Sequence, residues 1–126
     1  MDKMTETLLR AFVPEEILQD LDVEDLKLEF GVYRICMVEK DDDAHRPNHA
    51  GKEYVHNGYM NPVELQTFSI AGDETFLYLK RRRWQERGGG GSRTNECNYA
   101  YEGTKCTGKF GAFLKGAYRR QGYKHR

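Results

Sequence analysis

Two stretches of alternating apolar and polar residues, each divided by a short turn sequence, constrain the fold of this chain most. The first covers residues 26–37 and is divided at Phe30-Gly31. The second covers residues 63–70 and 74–83 and is divided at Ala71-Gly72-Asp73. A two-residue period is typical of half-buried strands, and glycine at the interruption is typical of a hairpin turn. The sequence therefore predicts two hairpins in a small antiparallel sheet of about four strands.

Helical spacing of apolar residues appears on either side of these hairpins. Residues 4–12 predict one short amphipathic helix. A second begins at Pro14, because proline suits the first helical turn, and its apolar stripe is Ile17, Leu18 and Leu21. A last helix begins at Thr107, with a stripe of Phe110, Phe113, Leu114 and Ala117 and with basic residues beside it. Together with the hairpins, these helices predict the α+β class.

The glycine run Gly88–Gly91, followed by Ser92, separates the strands from the last helix. Such a composition is typical of a flexible connector. The predicted organisation is an α+β domain over 1–87, a glycine-rich connector over 88–106, and a basic helix and tail over 107–126. Charged residues make up 32% of the chain and hydrophobic residues 38%, so the predicted core is modest.

Charge is separated along the chain. Residues 1–73 carry 7 Lys and Arg against 16 Asp and Glu, and residues 74–126 carry 13 against 4. The two parts therefore have net charges of −9 and +9, although the chain as a whole is neutral. A basic region of this kind favours a polyanion as partner. A solvated basic face that balances the acidic part within one fold is the alternative.

Nucleic acid is the polyanion that the basic region fits best, because lysine and arginine bind backbone phosphates without reading sequence. Trp84 is open to two interpretations, as a base-stacking residue or as a core residue that anchors the end of a strand. The candidate DNA-binding residues are Lys80, Arg81, Arg82, Arg83, Trp84, Arg87, Lys105, Lys109, Lys115, Arg119 and Arg120.

Metal and nucleophile chemistry have weaker support. The only potential zinc ligands are His45, His49, His56, Cys97 and Cys106, and none of them forms the close pair that structural zinc sites show. The acidic run 41–43 is typical of a solvated loop, and Cys36 of a small core residue. The sequence predicts no catalytic residue, no metal and no cofactor.

The location predicted from the sequence is the cytoplasm, without membrane contact. No apolar run approaches the roughly 20 residues of a membrane span. The N-terminus lacks the basic start and apolar stretch of a secretory signal. Three widely spaced cysteines do not form a disulfide framework, which favours a reducing compartment.

Several motifs together resemble the separately encoded N-terminal region of bacterial insertion-sequence transposases of the ISAon group. The resemblance spans most of the chain and includes Leu8–Leu18 and Asn57-Gly58-Tyr59. Its most specific parts are the strand end Arg81-Arg82-Arg83-Trp84 and the closing block Gly103–Lys115. It implies an accessory DNA-binding role, with the acidic catalytic triad on another polypeptide. The implied partners are the terminal repeats of the element and the catalytic subunit, and self-association is left open.

The hairpins also resemble the zinc-ribbon-like N-terminal domain of related DDE transposases, with two departures. Thr67-Phe68-Ser69 stands where that family has Asp-x-Pro, and Trp84 stands near the position of a zinc-ligating cysteine. The resemblance therefore implies a degenerate ribbon held by packing. It also implies that the last helix begins a helix-turn-helix that continues on the partner chain.

Two alternatives to DNA binding remain. The first is a protein-interaction or regulatory module that pairs with a catalytic subunit and does not contact DNA. The second is a small enzyme that binds a metal through the Asp and His residues of loop 41–56.

Overall fold

The computed structural model describes residues 2–48, 51–96 and 98–124, with side chains as far as Gly116. The elements in chain order are α1 (Lys3–Phe12), α2 (Glu15–Leu18), β1 (Leu21–Glu29), β2 (Val32–Glu39), β3 (Tyr54–Tyr59), β4 (Val63–Ile70), β5 (Asp73–Lys80), β6 (Arg82–Glu86), β7 (Ser92–Arg93) and α3 (Gly108–Lys124). The fold is α+β, as predicted. None of the helices in the described part of the chain has both the length and the apolar character that a membrane span requires.

The strands form two sheets, one of four strands in the order β1-β2-β5-β4 and one of three in the order β3-β6-β7. Both predicted hairpins are confirmed, since β1 pairs antiparallel with β2, and β4 with β5. The prediction of a purely antiparallel sheet is wrong, because β2 and β5 pair in parallel, with Ile35 opposite Leu77. The return strands of the two hairpins lie side by side and run in the same direction.

Each hairpin turns through two residues with positive φ. Phe30 and Gly31 have φ of 52° and 72°, and Ala71 and Gly72 have φ of 52° and 85°. Two consecutive positive φ values are typical of the type I′ turn, whose twist matches that of the flanking strands. Glycine adopts this conformation without strain, whereas Phe30 and Ala71 adopt it at a cost.

The main core lies between α2 and one face of the four-stranded sheet. α2 ends at Leu18, so Leu21, predicted as part of the helical stripe, is instead the first residue of β1. Burial of these side chains supplies the main driving force for folding. The buried cluster consists of Val13, Ile17, Leu21, Ile35, Met37, Leu65, Leu77 and Leu79.

Helix α1 is the predicted N-terminal helix, but it contributes no buried residue to the core. Its start is capped by Asp2, whose carboxylate accepts a hydrogen bond from the Thr5 amide at 2.8 Å. The apolar face stays largely in solvent, because Met4, Leu8 and Phe12 are 75%, 54% and 41% exposed. The helix is therefore stabilised by its cap and its local contacts more than by packing.

The predicted return strand 74–83 is wrong in one respect, since it is divided between the two sheets. β5 ends at Lys80, and β6 begins at Arg82 in the three-stranded sheet. The division lies where the Arg82 amide donates a 2.9 Å hydrogen bond to the carboxylate of Glu39, at the end of β2. Beyond it, β6 buries Trp84 completely in the second sheet.

The segment predicted as a flexible connector, 88–106, is hydrogen-bonded to both sheets. Its glycines form the turn that returns the chain to β7, where Ser92 pairs with Gln85. Further along, the Gln66 amide donates to the Lys105 carbonyl at 2.8 Å, and the Thr107 amide donates to the Gln66 carbonyl at 2.9 Å. These two bonds join the segment to β4.

Helix α3 begins directly after Thr107, as predicted. The hydroxyl of Thr107 lies 3.2 Å from the hydroxyl of Thr67 on β4, and this contact joins the start of the helix to the four-stranded sheet. Of the predicted apolar stripe only Phe110 is buried, against Phe68 at a ring distance of 5.1 Å. Phe113 and Leu114 are 53% and 41% exposed, and the side chain of Ala117 lies outside the described residues.

Candidate nucleic-acid interface

Lys80, the first of the clustered cations, is engaged within the fold. It ends β5, and its ammonium lies 3.1 Å from a carboxylate oxygen of Glu24 on β1. The same ammonium lies 4.5 Å from the centre of the Tyr59 ring. The charge of a cation with an acidic and an aromatic neighbour is already partly balanced. We therefore expect Lys80 to attract a phosphate less strongly than an unpaired lysine would.

Arg82 is the most firmly held of the candidate residues. Its Nε donates to the carbonyl oxygen of Glu39 at 2.7 Å, in addition to the bond from its amide to the Glu39 carboxylate. Glu39 is only 4% exposed and accepts a further bond of 2.7 Å from Asn95 Nδ2. A buried carboxylate needs such partners, because removing a charge from water is costly. Arg82 and Asn95 therefore stabilise the junction between the two sheets.

The other arginines of the cluster differ from one another. Arg87 lies 3.0 Å from Glu53, and both side chains are exposed, so this pair contributes little stability. Arg81 is half-buried, and its Nε has no acceptor in the described part of the chain. Arg83 is exposed and forms no ion pair with any described residue. Arg83 is therefore the exposed cation of this cluster that has no ion pair among the described residues.

Trp84 has no exposed surface on which a base could stack. The His56 ring lies edge-on at 6.2 Å between centroids, and the Arg46 guanidinium carbon lies 5.8 Å from the indole centroid. Of the two interpretations, the structure agrees with the strand anchor. The assignment of Trp84 as a base-stacking, DNA-binding residue is wrong, because complete burial leaves a base no surface to contact.

The remaining candidates lie near the start of α3. Lys105 and Lys109 are exposed and form no ion pair among the described residues, whereas the ammonium of Lys115 lies 5.8 Å from the Tyr101 ring. The side chains of Arg119 and Arg120 lie outside the described residues. The structure thus places the candidates in two groups along the chain, one from the end of β5 to the residue after β6 and one in and just before α3.

A cluster that the sequence did not indicate surrounds His45. Its Nδ1 lies 2.5 Å from Asp42 and its Nε2 lies 2.9 Å from Asp20, while the Tyr99 hydroxyl donates to Asp20. Because a neutral imidazole carries only one N–H, bonding to both carboxylates requires the doubly protonated ring. The cluster joins the start of β1, the loop after β2 and the segment that precedes α3.

The pKa values of the cluster follow from this geometry. Burial lowers the pKa of His45, but the hydrogen bonds to Asp42 and Asp20 outweigh it and hold the pKa above its ordinary value. Burial raises the pKa of Asp20, yet the bonds from Tyr99 and His45 leave it lowered overall. The bond from His45 is the main reason that the pKa of Asp42 is lowered.

Few of the potential metal ligands lie together. Within residues 2–48, 51–96 and 98–124, no three His, Cys, Asp or Glu side chains are grouped as a metal site requires. Burial, with the nearby charge of Arg82, lowers the pKa of His56. Cys36 and Cys106 are free thiols. His49 and Cys97 lie outside the described residues.

Comparisons with protein-family models, with curated proteins and with solved structures find no match to this chain. The function of the chain is therefore inferred from its own residues. The relevant observations are the separated charges, the internal partners of Lys80, Arg82 and Arg87, and the exposed cations that have no such partners.

Proposed function

We propose that this chain is a non-catalytic DNA-binding part of an insertion-sequence transposase, which recognises the ends of the element for a catalytic subunit encoded separately. The observation that carries the proposal is that Arg83, Lys105 and Lys109 are exposed and form no ion pair among the described residues. They belong to the part of the chain with a net charge of +9. Exposed, unpaired cations are the groups that release counterions on binding phosphates.

The proposal divides the basic residues by role. Arg82 stabilises the junction of the sheets through Glu39, and Lys80 pairs with Glu24 within the four-stranded sheet. Arg83, Lys105 and Lys109 contact backbone phosphates and so provide affinity without sequence discrimination. Recognition of particular element ends then needs further contacts from α3 or from the catalytic subunit.

The likeness to a zinc ribbon belongs to the same proposal. Trp84, near the position of the missing cysteine, is completely buried against His56 and Arg46. Packing around an indole of this size supports a ribbon-like hairpin that is stabilised without metal.

Binding to duplex DNA that carries the element's terminal repeats tests this function. Replacing Arg83, Lys105 and Lys109 together with alanine should weaken binding about tenfold or more at low salt, because three phosphate contacts are lost. A matched control replaces Lys3, Arg10 and Arg34, three cations of the acidic part, and should bind like the wild type. Equal loss in both variants would mean that net charge alone determines binding, against the proposal.

A protein-interaction module without DNA contact is the second candidate, and one observation favours it. Lys80 and Arg87 lie beside carboxylates and Arg82 donates to a backbone carbonyl, so three of the five cations in residues 80–87 already have a partner within the chain. This candidate predicts that terminal-repeat DNA does not retain the wild-type chain at any salt concentration. It also predicts that a catalytic subunit is retained equally well with or without DNA.

A further inference from the structure

The outer edge of β1 is a free strand edge on which charged and apolar residues alternate after a β-bulge between Val23 and Asp25. β1 is the terminal strand of the four-stranded sheet, and no other strand of the described chain pairs with its outer side. Leu26, Leu28 and Phe30 at this edge are 56%, 54% and 101% exposed. Long apolar edges are usually shortened, charged or covered, because they offer backbone groups to another strand. The charges and the bulge of β1 restrict which strand can add to it, and the regular segment 25–29 beyond the bulge is the part that can accept one with matching charges.

Backbone directions support the same conclusion. Glu29 and Val32 close a two-residue turn and so form a hydrogen-bonded pair, which directs the amides of Leu28 and Leu26 away from β2. The Leu26 amide donates instead to the carboxylate of Asp25, at 2.9 Å. A local acceptor on an outward amide is easily exchanged for the carbonyl of an incoming strand.

The side chains beside Leu26 determine which strand fits. Asp25 and Lys27 lie on the face opposite Leu26 and have opposite charges, with the two groups 3.6 Å apart within the chain. An antiparallel copy with Leu26 on a two-fold axis places Asp25 of each chain opposite Lys27 of the other. An axis at Asp25 or at Lys27 places like charges opposite each other, which is destabilising. An axis at Leu28 leaves most of β1 unpaired.

We propose that β1 is a self-association surface, at which two copies of this chain pair antiparallel about Leu26 and continue the four-stranded sheet across a two-fold axis. Leu26 then packs against Leu26 of the second copy on the apolar face. Two Asp25–Lys27 pairs form between the chains on the other face. Dimer formation at this surface does not depend on DNA binding, so the two proposals are tested separately.

The test uses the full chain and two charge variants, Asp25→Lys and Lys27→Asp. Each variant places like charges at both inter-chain pairs, so its homodimer should be weakened about tenfold or more relative to the wild type. Mixed together, the two variants should form a heterodimer, because every inter-chain pair is again of opposite charge. The pair within each chain stays broken in the mixture, so a change inside the monomer does not explain recovery.

Sedimentation equilibrium gives the dimer affinities, and native mass spectrometry separates the heterodimer from the homodimers by mass. Circular dichroism of each variant shows whether the monomer remains folded. The control Ser69→Lys changes the charge of β4, the opposite edge of the same sheet, and should leave dimerisation unchanged.

Three results would overturn the proposal. A wild-type chain that stays monomeric at millimolar concentration would assign the edge to a different protein. If the folded variants do not form a heterodimer, the proposed register centred on Leu26 is wrong. Weakening by Ser69→Lys equal to that by Asp25→Lys would place the contact elsewhere.

Discussion

Arg82 and Arg83 are neighbours in β6, and alanine at each position should change a different property of the protein. Arg82 donates from Nε to the Glu39 carbonyl at 2.7 Å, and its guanidinium carbon lies 5.6 Å from the Tyr59 ring centre. A hydrogen bond from a charged donor contributes about 1.5–3 kcal/mol. A cation–π contact at a partly exposed site adds about 0.5–1 kcal/mol.

Arg82→Ala should therefore lower the free energy of unfolding by about 2–4 kcal/mol. Arg83 is exposed and has no ion pair among the described residues, so Arg83→Ala should change stability by no more than about 0.5 kcal/mol. DNA affinity should show the reverse order, falling for Arg83→Ala and remaining near the wild-type value for the folded fraction of Arg82→Ala.

Urea unfolding gives the stabilities, and fluorescence anisotropy with a labelled duplex gives the affinities under conditions in which both variants are folded. Arg82→Lys is a useful third variant, because it keeps the charge but not the planar Nε donor. It should be destabilised while binding DNA normally. The reasoning is refuted if Arg82→Ala is as stable as the wild type, or if Arg83→Ala leaves affinity unchanged while Arg82→Ala abolishes it.

Three further predictions concern stability. Because the pKa of His45 is raised on folding, protonated His45 stabilises the folded chain. Its contribution to the free energy of unfolding is complete below the ordinary pKa of about 6.5 and is lost as pH rises through the raised pKa. The pKa of Asp20 is lowered on folding, so the stability that Asp20 contributes is lost as pH falls through that lowered pKa. Urea midpoints measured across pH should show both declines in stability. The variant His45→Gln should lack the decline at alkaline pH. Gly111→Ala should destabilise the fold by about 1–3 kcal/mol in urea unfolding, because its Cβ would lie 2.7 Å from Cγ of Tyr101, and a wild-type midpoint would contradict this. Ala71→Asn, which places a residue tolerant of positive φ in the second turn, should raise the thermal midpoint, and a lower midpoint would show that the turn is not strained.

The hairpins were predictable because their information is local. Alternation and a glycine at the turn lie within a few residues of one another, and both turns formed at Phe30-Gly31 and Ala71-Gly72. The parallel pairing of β2 with β5 was not predictable, since a strand's own pattern does not state which neighbour it will have. The same holds for the end of β5, which depends on Glu39, some 43 residues before Arg82.

The roles of individual charged residues also could not be predicted from the sequence. The basic run 80–83 looks uniform, yet Lys80 and Arg82 have internal partners, and Arg83 has none in the described part of the chain. From the sequence, His45 was only a potential zinc ligand, because its partner Asp20 lies 25 residues away. Contacts between distant segments, which only the folded chain brings together, decide which charges remain available.

The salt dependence of duplex binding shows whether the cations of the basic part that have no ion pair among the described residues contact phosphates. If Arg83, Lys105 and Lys109 each contact one phosphate, the plot of log affinity against log salt should be shallower by about 2.7 for the triple alanine variant than for the wild type. Parallel plots for the two proteins, or a wild-type affinity that does not change with salt, would contradict the account.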